Sequence, residues 1–127
     1  MKIEFLNLPN VTGNAKASVH QSGKMGFSTS AISLLKLSEN SYARIGINQE
    51  DRNDKNLYIQ ISAGLTPDSL KINKAGAYYY LNTKLLFDKM GVDYQKSLII
   101  YDIIDMEYEG QKIYKFVRRT KDRKKSK

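Results

Sequence analysis

The 127-residue chain contains no cysteine, only two prolines and a single histidine. Without cysteine there are no disulfides, thiolate metal sites or cysteine nucleophiles, a composition that fits a cytoplasmic protein. No run of about 18 apolar residues occurs, so no membrane-spanning helix is expected. The opening stretch, with Glu4 and no long apolar core, does not read as a secretory signal. Carboxylates are also missing from two internal stretches. None lies between Glu4 and Glu39, where Lys16, Lys24 and Lys36 occur, and none between Asp68 and Asp88, where Lys71, Lys74 and Lys84 occur.

The catalytic repertoire is thin. His20 has no sequence neighbour that would orient it as a general base, so no enzyme is expected. Asp51 and Asn53 open like a calcium loop, but glycine is missing at the sixth position and Ser62 replaces the closing glutamate. Asp105, Glu107 and Glu109 read as a charge-defended edge strand rather than a metal site. No metal or cofactor is expected.

The net charge of +8 is unevenly distributed. Residues 118–127 hold seven basic side chains and one acid, leaving fourteen basic and twelve acidic for the remainder. Basic character is thus concentrated in the tail, which reads as disordered. The rest has the apolar fraction of one globular domain, residues 1–117.

Alternation places strands at Lys2–Leu8, at Ala15–Val19 and over Met25–Phe27. Ser28, Thr29 and Ser30 are candidate N-caps for a helix with Ala31, Leu34 and Leu35 on one face, ending near Glu39-Asn40. Strands with Ala43, Ile45 and Ile47 inward, then Leu57, Ile59 and Ile61, complete the unit. The same order returns from Ile72. At a shift of 53, Val19 matches Ile72, Gly23 matches Gly76, Met25 matches Tyr78 and Phe27 matches Tyr80. Beyond the helix start, at a shift of 55, Leu35 matches Met90, Ala43 and Ile45 match Leu98 and Ile100, and Ile59 and Ile61 match Tyr114 and Phe116. Asn82 is the expected second N-cap and Gly91 the residue closing that helix. The fold expectation is a β-rich α+β domain of two fused β-hairpin–helix–β repeats, at about 15–62 and 70–117.

The run from Gly23, G-K-M-G-F-S, then a short helix and L-K-L-S-E-N-S-Y-A-R-I, resembles the AbrB-type swapped-hairpin family and its MraZ-like tandem repeats. The resemblance implies a swapped-hairpin-like, pseudo-dimeric barrel that binds DNA through basic residues around the first hairpin. Several positions depart from the family pattern: Ser28 and Leu81 stand where it has a helix-opening proline, and Lys36 where it has the turn glycine. The cation at Lys24 is answered in the second copy by Ala77.

Together these readings lead to an expectation of non-catalytic, transcription-regulatory DNA binding. Lys16, Lys24, Lys71 and Lys74 would supply phosphate contacts, with Arg118, Arg119 and the tail adding salt-sensitive affinity. Convergence of Lys24, Lys71 and Lys74 on one face would favour DNA; their scatter would favour a protein partner. In the tyrosine triplet, Tyr78 and Tyr80 match core positions, which leaves Tyr79 to stack on unpaired bases in a single-strand alternative. The other alternative is a protein-interaction or homo-oligomerisation module of phage or mobile-element type, using the apolar strand Leu98 to Ile104.

Overall fold

A computed structural model describes residues 1–4 and 15–122. The elements, in order, are strands Lys16–Val19 (β1) and Met25–Phe27 (β2), helix Thr29–Leu35 (α1), and strands Tyr42–Gly46 (β3) and Leu57–Ser62 (β4). Then follow Ser69–Lys71 (β5), Asn73–Ala75 (β6), Tyr78–Leu81 (β7), helix Lys84–Met90 (α2), and the long strands Ser97–Tyr108 (β8) and Gln111–Asp122 (β9). All strands join one antiparallel sheet in the order β5-β3-β4-β9-β8-β1-β2-β7-β6. The sheet curls into a nearly closed barrel. Its two edge strands, β5 and β6, are consecutive in the chain and separated only by Ile72.

Hairpins from the two halves of the chain alternate around the barrel: β3–β4, then β9–β8, then β1–β2, then β7–β6. Neither half can form the sheet alone, because its hairpins are held apart by those of the other. The interior is filled from both halves, with Met25, Leu57, Ile59, Leu81, Phe87, Ile99, Tyr101, Ile103 and Phe116 fully buried. Each such aliphatic or aromatic side chain contributes about 1.5–3 kcal/mol. A one-residue slip of any strand would turn its inward set to solvent, so the register is strongly specified.

Local signals set the helix ends. The Ser28 Oγ accepts from the Ala31 N–H at 3.2 Å and from the Lys16 N–H at 3.0 Å, tying the start of α1 to β1. That helix stops at Leu35, earlier than Glu39-Asn40, because Lys36 adopts the left-handed conformation and its N–H closes back on the last turn. Gly91 closes α2 as expected. Its N-cap is Thr83, not Asn82, and the buried Thr83 hydroxyl donates to the Gly23 carbonyl at 2.7 Å. Gly23 has φ +90°, and a Cβ there would press on Lys84 at 2.8 Å. The turn between β1 and β2 therefore rests directly on the start of the second half's helix.

Three sequence expectations need correction. First, β8 turns Ile99, Tyr101 and Ile103 inward, not Leu98 and Ile100. Leu98 to Ile104 is apolar or aromatic at every position but Asp102, so alternation along it is silent. Pairing with β1 decides the face, placing Ile99 opposite Val19 and Tyr101 opposite Ala17. Second, Arg118 to Asp122 belong to β9, paired with β8 as far as Ser97↔Asp122, rather than to a disordered tail. Residues 123–127 lie outside the described residues, as does most of the strand expected over Lys2–Leu8. Third, Tyr78 and Tyr80 are not core, as described next.

Candidate nucleic-acid interface

Antiparallel partners that sit directly opposite one another share a face of the sheet. In the β2–β7 pair, Met25 faces Leu81 and Gly26 faces Tyr80. Met25 and Leu81 are fully buried, so Gly26 and Tyr80 face outward, and Tyr78 with them. Tyr79 takes the inner side, where it packs against the core. The matching of Tyr78 and Tyr80 to Met25 and Phe27 inverted these faces. The cause is register: three consecutive tyrosines carry no polar–apolar contrast, and only the Gly26↔Tyr80 pairing settles which way they point.

Following the pairings across the sheet gives a continuous outer row of Tyr80, Gly26, Ser18, Ile100 and Arg119. At 4.7–4.9 Å per strand step, the row spans about 19 Å. Beside it, Lys16 pairs with Asp102 and Asp102 with Val117. On the other flank the His20 N–H donates to the Lys24 carbonyl, and Lys121 faces Leu98 on β8. Lys115, opposite Ile104, extends the same outer face. The strip thus carries Lys16, Lys24, Lys115, Arg119 and Lys121 against Asp102, with Asp54 near Lys115 at its β4 end.

Not all of this charge is free. Arg119 grips Asp102 through Nε at 2.6 Å and Nη2 at 3.2 Å. The Asp54 carboxyl is held below the ordinary range mainly by hydrogen bonds from Tyr58 and the Asn56 N–H, with the Lys115 charge adding to the effect. Lys16, Lys24 and Lys121 remain on the strip without an ion pair at 4.0 Å or less among the described residues.

At the β7 end, the rings form a fixed cluster. Tyr78 and Tyr80 stack with centroids 6.0 Å apart and planes at 20°. The Lys24 Nζ lies 4.9 Å above the Tyr80 ring. The Tyr78 hydroxyl meets His20 Nε2 at 2.5 Å. All of this depends on Gly26: a Cβ there would sit 1.7 Å from the Tyr78 hydroxyl and 2.9 Å from His20 Nε2. Tyr78 therefore lies across bare backbone, with its hydroxyl ionisation pushed up by burial. His20, which sequence reasoning examined only as a general base, serves here as an orienting partner. The signal that could have found the cluster was Met25-Gly26-Phe27, a glycine between two core residues on a strand.

Other expected contacts fall elsewhere. Lys71 and Lys74 line a separate cleft of about 460 Å³ with Glu39, Ile72, Asn73 and Gly76. Lys74 is bonded to Glu39 at 3.5 Å and lies over the Tyr79 ring, on the opposite side of β7 from Lys24. Lys24, Lys71 and Lys74 thus do not converge, which splits the lysine set named for DNA, leaves Lys16 and Lys24 on the strip, and counts in favour of a protein partner. Arg118 faces inward, directly opposite Tyr101. Among the described residues, its Nε and the Tyr101 hydroxyl are buried without hydrogen-bond partners, and burial pushes the Tyr101 phenol up to about 12 despite the opposing pull of Arg118. Strand alternation separates Arg118 from Arg119, since neighbours on β9 point to opposite faces.

The strand Leu98–Ile104 is not an open edge over its first half, because β1 and β9 flank it. Its outer face leaves Leu98 and Ile100 half-buried and Ile104 40% exposed. Among the described residues, no group of three or more histidine or acidic side chains could hold a metal ion. No described helix is long and apolar enough to cross a membrane. Comparison of the chain with known protein families, curated proteins and solved structures finds no match. The site is therefore judged on its own geometry.

Proposed function

We propose that the protein binds DNA without catalysing a reaction, through the outer face of β7–β2–β1–β8–β9. The observation that carries this reading is the charge balance of that strip: Lys16, Lys24, Lys115, Arg119 and Lys121 outnumber two carboxylates, Asp102 gripped by Arg119 and Asp54 near Lys115. Such a face attracts a polyanion, and each phosphate contact adds affinity through counterion release. The alternation of hairpins from the two halves supports a swapped-hairpin, pseudo-dimeric organisation like that of the AbrB-type proteins. Under that reading the two halves have diverged, and only the first retains a cation, Lys24, on its hairpin turn. A transcription-regulatory role is part of the same proposal.

The test is a salt titration of DNA binding. The Lys24→Ala/Lys121→Ala pair is expected to reduce the slope of log affinity against log salt by about 1–2. Absence of binding at low ionic strength ends the proposal. A second reading, a protein partner or self-association, is favoured by Leu98, Ile100, Ile104 and Val117 on the same strip. Under it, the chain self-associates or captures a partner without DNA, and Ile104→Lys abolishes the contact.

A further inference from the structure

We infer that the Tyr78–Tyr80 pair is a stacking platform for unpaired nucleobases, so that the nucleic acid this face prefers is single-stranded. The inference rests on the DNA-binding reading and names its substrate class.

A duplex hides the faces of its bases, and a cationic strip alone reads only phosphate. Exposed rings placed beside cations are the arrangement that holds single strands, because every base offers a π-face. Here the rings are organised before any ligand arrives. Tyr78 is 39% exposed yet held at both ends, by stacking on Tyr80 and by the bond from its hydroxyl to His20. It lies over Gly26, the one residue type that leaves room for it. Little side-chain entropy remains to be lost on binding, which favours affinity. The outer row then continues over small residues, Gly26 and Ser18, before reaching Ile100 and Arg119. A chain stacked at the Tyr78 end can therefore pass over low relief towards the cations of β1 and β9. Lys24, over the Tyr80 ring, places a cation at the platform itself.

The platform has no counterpart on the inner side of β7. Tyr79, the single-strand candidate from sequence, is packed against the core.

The experiment compares three labelled probes of equal length, about 12 nucleotides, by fluorescence anisotropy at low salt: oligothymidine, its duplex with oligoadenosine, and an abasic deoxyribose-phosphate chain. Oligothymidine is expected to bind at least about 5-fold more tightly than the abasic chain, the lower end of one stacked base. Tyr78→Ala and Tyr80→Ala should each remove about 5-fold or more from oligothymidine affinity while leaving abasic affinity in place. Tyr78→Phe, which keeps the ring and loses the His20 bond, should rescue most of the Tyr78→Ala loss. That rescue separates stacking from a general defect in folding. Equal affinity for oligothymidine and the abasic chain, unchanged by the tyrosine variants, overturns the platform and leaves the phosphate reading standing. Tighter binding of duplex than of oligothymidine also overturns it. If none of the three probes binds, the DNA reading falls, and the platform with it.

Discussion

The strand β1 and the bent segment β5–β6 occupy comparable places at the two seams between halves, yet they close those seams differently. Ala17 on β1 is bracketed at one level by Phe27 of β2 and Tyr101 of β8. On the other seam the work is divided: β5 pairs with β3 through Ser69, Leu70 and Lys71, and β6 pairs with β7 only after Ile72. Val19 and Ile72 are equally buried, each 1% exposed, so both seams are pinned by one aliphatic side chain. The difference is in the backbone. A strand paired on both sides presents an unbroken outer face, and the five-strand row runs across it. A strand that changes partners halfway opens a gap, and the cleft with Lys71 and Lys74 lies there. Lysines in corresponding acid-free stretches thus end in different surroundings. Lys16 and Lys24 of the first stretch stand on the continuous sheet, while Lys36 closes α1; Lys74 of the second is ion-paired with Glu39.

The largest expected effect comes from removing the pins. Ile72→Ala should cost about 2–5 kcal/mol in denaturant unfolding. Val19→Ala removes a smaller side chain from a strand braced on both sides, so its cost should be lower. If Val19→Ala proves the more damaging, the split seam is not the weaker of the two.

Native-state hydrogen exchange sharpens the same contrast. Amides of β1 should exchange at least about tenfold more slowly than those of β5 and β6, because local opening requires fewer broken contacts where each strand has one neighbour. Equal protection would show that the two seams open together.

A smaller effect is expected at Tyr101, the partner of Ala17. Its hydroxyl is buried without a partner, so Tyr101→Phe should be neutral or stabilise the fold by about 1 kcal/mol. The sign of its pH dependence follows from the raised ionisation. Between its ordinary value of 10.0 and about 12 the unfolded chain loses this proton while the folded chain keeps it. Stability contributed by the neutral phenol is therefore present below pH 10 and falls as pH rises towards 12. In Tyr101→Phe the alkaline loss measured by thermal unfolding should be shallower.

The smallest effect separates the two lysine groups by function. Lys71→Ala and Lys74→Ala should change DNA affinity by less than about twofold, a span of roughly 0.4 kcal/mol, since neither stands on the outer row. A loss matching that of Lys24→Ala would return the cleft to the binding surface.

Much of the architecture was legible in the sequence wherever neighbouring residues differ in polarity. Lys16-Ala17-Ser18-Val19 and Leu57-Tyr58-Ile59 show their inner positions by alternation, Ser28 marks the start of α1, and Gly91 marks the end of α2. The candidate site was legible only in part. Lys16, Lys24 and Arg119 were found from charge and Lys121 only as part of the basic tail; Lys115 was not, because only its place opposite Ile104 puts it on the outer face. Tyr78 and Tyr80 were placed inside and Arg118 outside.

The amino-acid sequence by itself determined a β-rich chain with two short helices and two of their four ends, Ser28 and Gly91, because these depend on contacts within a few residues. Tertiary structure alone decided the faces of Tyr78-Tyr79-Tyr80 and of Leu98 to Ile104. Those runs are apolar or aromatic at nearly every position, so their orientation is set by what lies opposite: Gly26 across from Tyr80, and Ala17 across from Tyr101. Cross-strand register is a relation between distant segments, and it is what brought one half's glycine beneath the other half's tyrosine.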